Sequence, residues 1–200
     1  MKYVLPTEEI IPFLNVLPPD WQILKINTQV LHTYENLYFD TDNFQCYLDH
    51  HNEKKSRYKF RIRTYQQTGA SFLEVKEKTN KEKTLKTRLH RSTANPHLTE
   101  VEKAWLRQLQ SRINPAFLQP QLQTRYRRIS LIHPDGNRLT IDQGLVFKTA
   151  DRTLAFPLPR LAVVELKKCH QIGLNHLSPP FRQMGMASIP LSKYCLGILL

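Results

Sequence analysis

The chain has 200 residues, 40% of them hydrophobic, enough to build one cored domain at this length. Lys and Arg number 29 against 17 Asp and Glu, a net charge of +12, so the expected partner is a polyanion: nucleic acid, polyphosphate, nucleotides or an acidic membrane surface. Three cysteines, odd in number and far apart (Cys46, Cys169, Cys195), argue against a secreted disulfide scaffold. No apolar run approaches the ~20 residues of a membrane span and the first residues lack a signal-peptide core, so a soluble cytoplasmic protein is expected.

In chain order, a short helix is predicted over 7–17, with Thr7 capping "EEIIPFLNVL" and Pro18–Pro19 stopping it. Strand signals then dominate. "VLHTYENLYFDT" (30–41), "SRYKFRIRTY" (56–65), "SFLEVKEK" (71–78) and "KTLKTRLH" (83–90) are rich in β-branched and aromatic residues or alternate strictly. A helix interrupts them, with a Thr99/Glu102 capping box and Val101, Trp105, Leu109 and Ile113 every four residues. "TRYRRISLI" (124–132) and "NRLTIDQGLVFK" (137–148) flank the turn signal "HPDGN", and "LAVVELKK" (161–168) follows. A last helix is predicted from Ser188, with Pro190 in its first turn. No repeat or linker divides the chain, so residues 1–200 read as a single antiparallel α+β domain.

The alternation carries one chemistry throughout. In 56–65, Arg57, Lys59, Arg61, Arg63 and Tyr65 share one face while Tyr58, Phe60, Ile62 and Thr64 share the other. Glu74, Lys76 and Lys78 share a face, as do Lys86 with Arg88, Tyr126 with Arg128, Arg138 with Thr140 and Asp142, and Glu165 with Lys167. One such strand is an ordinary half-exposed strand. The set is too one-signed for a neutral solvated surface, and a closed barrel with a charged interior and helices outside accounts for it. Such an interior needs an anionic guest, because buried unpaired cations are costly. On this reading the cations repel one another in the empty protein, and removing one would not destabilise it.

The motifs "LYFDT", "YLDHH", "RYKFRIRTY", "FLEVKEK", "YRRISL", "RLTID", "VELK" and "PLSKY", in this order, resemble the VTC domain, the polyphosphate polymerase module of the vacuolar transporter chaperone, within the triphosphate tunnel (CYTH-like) superfamily. The resemblance implies a closed antiparallel eight-stranded β-barrel with a few helices packed outside. Its basic tunnel would bind ATP and a growing inorganic polyphosphate chain, with Mn2+ or Mg2+ as cofactor. It implies catalytic roles for Arg61, Arg63, Lys76, Tyr126, Arg128 and Lys167, and substrate contacts for Lys2, Lys86, Arg88, Arg138, Ser192 and Lys193. Glu165 resembles the metal-binding glutamate. In two places the chain departs from many relatives: no glutamates precede Lys2, and His50 stands where some carry an arginine.

The expected reaction transfers the γ-phosphate of ATP to polyphosphate and releases ADP. A tunnel-type inorganic, nucleoside or RNA triphosphatase and a non-catalytic polyphosphate-binding module are the alternatives. Nucleic acid is not the expected partner, since Tyr58 and Phe60 alternate opposite the arginines and read as core rather than a base-stacking platform. Cys46, His50 and His51 lack a second pair at zinc spacing.

Overall fold

The computed structural model describes residues 1–81, 83–92, 95–109, 111–167 and 178–200. The strands are β1 (Lys2–Pro6), β2 (Gln22–Ile23), β3 (Leu31–Asp40), β4 (Arg57–Tyr65), β5 (Ser71–Lys78), β6 (Thr84–Arg91), β7 (Gln119–Ile132), β8 (Arg138–Thr149), β9 (Ala155–Leu158) and β10 (Leu161–Lys167). The helices are α1 (Ile10–Asn15), α2 (Gln45–His51), α3 (Glu100–Gln108), α4 (Ser178–Gln183) and α5 (Lys193–Leu199). The mostly antiparallel sheet has the hydrogen-bonded order β1-β10-β8-β7-β3-β4-β5-β6, with β2 on β7 and β9 on β8. Among the described residues no ladder joins β1 to β6, so hydrogen bonding does not close the eight-stranded barrel expected from the sequence. The chain divides into two compact units, and the long strands β7 and β8 contribute to both.

The first unit comprises Met1–Thr33, Arg125–Val146 and Pro157–Leu191. Its core takes alternate residues from each strand: Tyr3 and Leu5 from β1, Leu139 and Ile141 from β8, Ala162, Val164 and Leu166 from β10. Phe13 of α1 and Phe181 of α4 join them, and the Phe181 ring stacks on Tyr3 at 4.2 Å. Burying each large apolar side chain contributes about 1.5–3 kcal/mol, so this period-2 pattern decides which face turns inward. The other face is left for charge. Thr7 does not cap α1; its hydroxyl donates to the Pro159 carbonyl at 2.9 Å, and a 3-10 turn over Thr7–Glu9 precedes the helix. The "HPDGN" turn forms as expected, with Gly136 at φ +84° and the His133 amide donating to the Asn137 carbonyl.

The second unit comprises Tyr34–Thr124, Phe147–Phe156 and Ser192–Leu200. Phe39, Phe60, Ile62, Leu73 and Val75 fill its core from β3, β4 and β5, while β6 leaves Leu85 about half exposed and so lacks the buried face expected of it. The α3 capping box is present, with Thr99 Oγ1 accepting from the Glu102 amide at 3.3 Å and Glu102 Oε2 accepting from the Thr99 amide at 2.8 Å. The expected apolar stripe is displaced. Val101 is 75% exposed and the buried positions are Glu102 and Leu106. The inward glutamate is stabilised by Arg91, which pairs with it and donates to the carbonyls of Asn95 (2.6 Å) and His97 (2.8 Å).

The last helix starts later than expected. Ser192 caps α5, its Oγ accepting from the Cys195 amide at 3.3 Å. Tyr194 donates to Asp40 Oδ2 at 2.5 Å, and the same carboxylate accepts from the Cys46 and Tyr47 amides that open α2. Asp40 thus fastens α2 and α5 to the end of β3. Gly197 seats α5 closely: a Cβ there would lie 2.4 Å from Leu122 and 2.5 Å from Phe147. Cys169 lies outside the described residues.

Candidate functional site: two charged sheet faces

In the second unit, register decides what the cations meet. Lys59 pairs with Lys76 and Lys76 with Lys86; Arg61 pairs with Glu74 and Glu74 with Arg88; Arg63 pairs with Phe72 and Phe72 with His90. Residues directly opposite on antiparallel strands share a face, with Cβ atoms about 4.5–5.5 Å apart. Arg61, Arg63, Lys76, Lys86 and Arg88, all predicted from the sequence, therefore lie on one face, together with Lys59.

One carboxylate organises them. Glu74 is 2% exposed and its Oε2 accepts from Arg61 Nε at 2.9 Å and Nη2 at 2.7 Å. Its Oε1 lies 2.5 Å from Lys86 Nζ, and Arg63 Nε stands 3.9 Å from Oε2. Burial alone would raise the Glu74 carboxyl, but Arg61, Arg63 and Lys86 outweigh it and hold the pKa at about 2. The expectation of cations repelling one another in the empty protein is corrected here: a buried internal anion already offsets part of the charge. Arg63 is fixed further by Asn36, whose Oδ1 accepts from Nε at 2.9 Å while its amide donates to Thr124 at 3.1 Å. Lys59 donates to Ser192 Oγ at 2.8 Å, which brings Ser192, and with it the start of α5 at Lys193, to this face.

Acid exposes this arrangement. The folded pKa of Glu74 lies below its ordinary 4.5, so its stabilisation is complete above pH 4.5 and is lost as pH falls toward 2. A shift of that size corresponds to on the order of 3 kcal/mol. Urea melts of wild type and Glu74→Gln between pH 5 and 2 should converge as pH falls. Parallel curves would remove Glu74 from this role.

The first unit carries the second charged face. Lys2 of β1 pairs with Glu165 of β10, Glu165 with Thr140 of β8, and Lys167 with Arg138. Lys2 donates to the Leu191 carbonyl. Arg128 is gripped by Asp142, with Nε at 2.5 Å from Oδ1 and Nη2 at 2.8 Å from Oδ2, and its guanidinium carbon lies 5.3 Å from the Tyr126 ring centroid. Tyr126 and Arg128 are buried, Lys2 and Glu165 half-buried, Arg138 and Lys167 exposed. The structure thus sets Glu165 between a cation and a hydroxyl. The Thr140 Oγ1 is buried and has no hydrogen-bond partner.

A hard divalent cation suits that pair. No group of three or more His, Cys, Asp or Glu side chains able to hold a metal occurs among the described residues. Mg2+-type sites, however, commonly use one or two carboxylates and take their remaining ligands from substrate phosphates and water. A carboxylate beside an orphaned buried hydroxyl supplies oxygen donors of the right kind.

Sequence reasoning placed the cations but missed their fixers, Asn36, Asp142 and the Lys59–Ser192 contact, and did not assign Glu74 its pairing role. The signal for Glu74 was available: a glutamate alternating in phase with lysines on a strand next to an arginine strand.

In each unit the mostly antiparallel sheet gathers basic residues on one face. The chain belongs to the VTC domain family, whose model matches residues 1–200. No curated protein matches the sequence. Among solved structures the chain is similar to a Bacillus halodurans protein provisionally named an adenylate cyclase, at 17% identity over 96% of this chain and 92% of that one, TM-score 0.57. It is also similar to a Hippeastrum protein, provisionally named an adenylyl cyclase and described as having a dominant triphosphatase activity, at 16% identity over 100% and 94%, TM-score 0.55. A third likeness is to a Vibrio parahaemolyticus protein, again provisionally named an adenylate cyclase, at 10% identity over 100% and 97%, TM-score 0.54. At these identities the likeness is one of fold. No described helix is long and apolar enough to cross a membrane.

Proposed function

We propose that the protein is a polyphosphate polymerase: ATP plus a polyphosphate chain gives ADP and a chain one phosphate longer. The observation that supports this best is the face of the second unit, which carries Lys59, Arg61, Arg63, Lys76, Lys86 and Arg88, three of them drawn to the buried carboxylate of Glu74. A linear phosphate chain offers repeated oxygens for such a surface, with arginine forks making bidentate contacts and lysines supplying point charge. Membership of the VTC domain family over the whole chain favours polyphosphate over other polyanions.

Phosphoryl transfer asks the protein mainly for positioning and charge stabilisation. Arg61 and Arg63 would hold the transferred phosphate, pre-set by Glu74 and Asn36 so that little reorganisation accompanies the reaction. Lys76, Lys86 and Arg88, with Ser192 and Lys193, would bind flanking phosphates. On the face of the first unit, Lys2, Arg138 and Lys167 would offer cations to phosphate, and Tyr126 would sit under an Arg128 held rigid by Asp142. Glu165 and Thr140 would hold Mn2+ or Mg2+, which when bound neutralises charge on the phosphate oxygens. An oxygen of the terminal phosphate bonds to the γ-phosphorus of ATP, the bond from that phosphorus to the β-bridging oxygen breaks, and ADP leaves with the bonding electrons.

Linkage tests the substrate class. Tripolyphosphate at a hundredfold excess over its dissociation constant should stabilise the fold by about 2.7 kcal/mol, read as a rise in Tm. A single-stranded oligonucleotide of equal charge should do much less. The reverse order would favour a nucleic-acid-binding module.

A further inference from the structure

The charged face of the second unit is graded from end to end. Toward Arg57 it is cationic, with Arg57 opposite Lys78 and the Lys59–Lys76–Lys86 row beside it. Toward Tyr65 it becomes aromatic. Phe72 and His90 continue the Arg63 row, and Tyr34 pairs with Tyr65 in the next. The rings meet edge to face: Tyr34–Tyr65 at 5.1 Å and 61°, Tyr65–Phe72 at 6.0 Å and 88°, Phe72–His90 at 5.3 Å and 85°. Two arginines lie over them, Arg88 at 4.9 Å from the Phe72 centroid and Arg63 at 5.3 Å from that of Tyr34.

These aromatics are not core. Tyr34, Tyr65 and Phe72 are half-buried and His90 is exposed, whereas Tyr58 and Phe60 on the opposite face are 6% and 1% exposed and stack on each other. A chain of phosphates has no use for a π surface. A nucleobase does, because it stacks on aromatic rings and on guanidinium planes. We propose that the cluster Tyr34, Tyr65, Phe72 and His90 seats the nucleobase of a nucleoside triphosphate, so that its phosphates run past Arg88, Arg61 and Glu74 toward Lys76 and Lys59. This rests on the polymerase reading only in taking a nucleoside triphosphate as a substrate. It adds a direction: nucleotide enters from the aromatic end, and the phosphate polymer lies toward the lysine end.

The test is titration calorimetry of ATP and of tripolyphosphate, without metal and at one salt concentration, on wild type, Phe72→Leu, Tyr65→Leu and Lys76→Ala. Stacking on one ring corresponds to about tenfold or more in affinity. Each leucine variant should weaken ATP by about that factor and leave tripolyphosphate within roughly twofold, while Lys76→Ala weakens both. Equal losses for the two ligands, or none for ATP, overturn the inference. Should the leucine variants fail to fold, wild type decides alone: ATP should bind more tightly than UTP, whose smaller ring stacks less, and equal affinities overturn the proposal. A protein that makes polyphosphate yet shows no base dependence loses this inference and keeps the polymerase. One that shows base dependence and makes no polymer keeps the inference and loses the polymerase.

Discussion

Arg61→Ala should lower turnover by about 10²- to 10³-fold, the usual cost of removing one preorganised donor from a developing charge. It should also lower stability by about 1–3 kcal/mol, the cost of leaving a buried acceptor short of its partner. Both effects come from one side chain. Arg61 supplies two of the hydrogen bonds to Glu74 Oε2, at 2.9 and 2.7 Å, and Arg63 stands too far from that oxygen, at 3.9 Å, to replace them. Sequence alone suggests the opposite sign for stability, since a row of like charges gains by losing a member. The buried carboxylate reverses it. Arg61→Lys should recover part of the stability through its charge and little of the turnover, because an ammonium cannot reproduce the guanidinium fork. Chemical denaturation and initial rates on the two variants check both statements. An Arg61→Ala protein as stable as wild type would show that Glu74 does not depend on it.

Glu165→Gln should lower turnover by orders of magnitude while sparing phosphate binding. The substitution keeps size and removes charge. Metal affinity should fall, because a hard divalent cation prefers ionised oxygen donors. Tripolyphosphate affinity measured without metal should hold or rise, because a negative charge has left a face that includes Lys2 as the register partner of Glu165. A glutamate whose only task is to pair with Lys2 or Lys167 would behave otherwise. Its removal would free a cation, tighten phosphate binding and leave metal-dependent turnover near wild type. Turnover and metal-free affinity, measured on the same variant, separate the two.

The period-2 alternation was readable from sequence because a strand needs only one residue's phase to assign every side chain to a face. Hence β4 and β5 fall where expected, with Tyr58, Phe60, Leu73 and Val75 buried and the arginines opposite. What faces what across strands was not readable, because register depends on turns and neighbours rather than on the strand itself. That is why Glu74 reads as one more charge in a motif yet proves to be a shared counter-ion. Charge pairing also hid the inner side of α3, since a hydrophobic pattern cannot show that Glu102 turns inward to meet Arg91. The seven residues of α2 carry little periodicity of their own; Asp40 and the β4 surface hold the helix in place. At α5 a proline signal competed with a serine cap, and the serine's bond to the Cys195 amide marks the start.

The proposed activity is the lengthening of polyphosphate at the expense of ATP. The decisive assay incubates the purified protein with ATP and Mn2+, resolves the products on a gel, and measures ADP and free phosphate in the same sample. The expected products are polyphosphate of growing length, with ADP accumulating in step with phosphate residues in the polymer, and little free phosphate. Free phosphate matching ADP, with no polymer, would make the protein a triphosphatase rather than a polymerase, and a protein that releases neither would be a binding module.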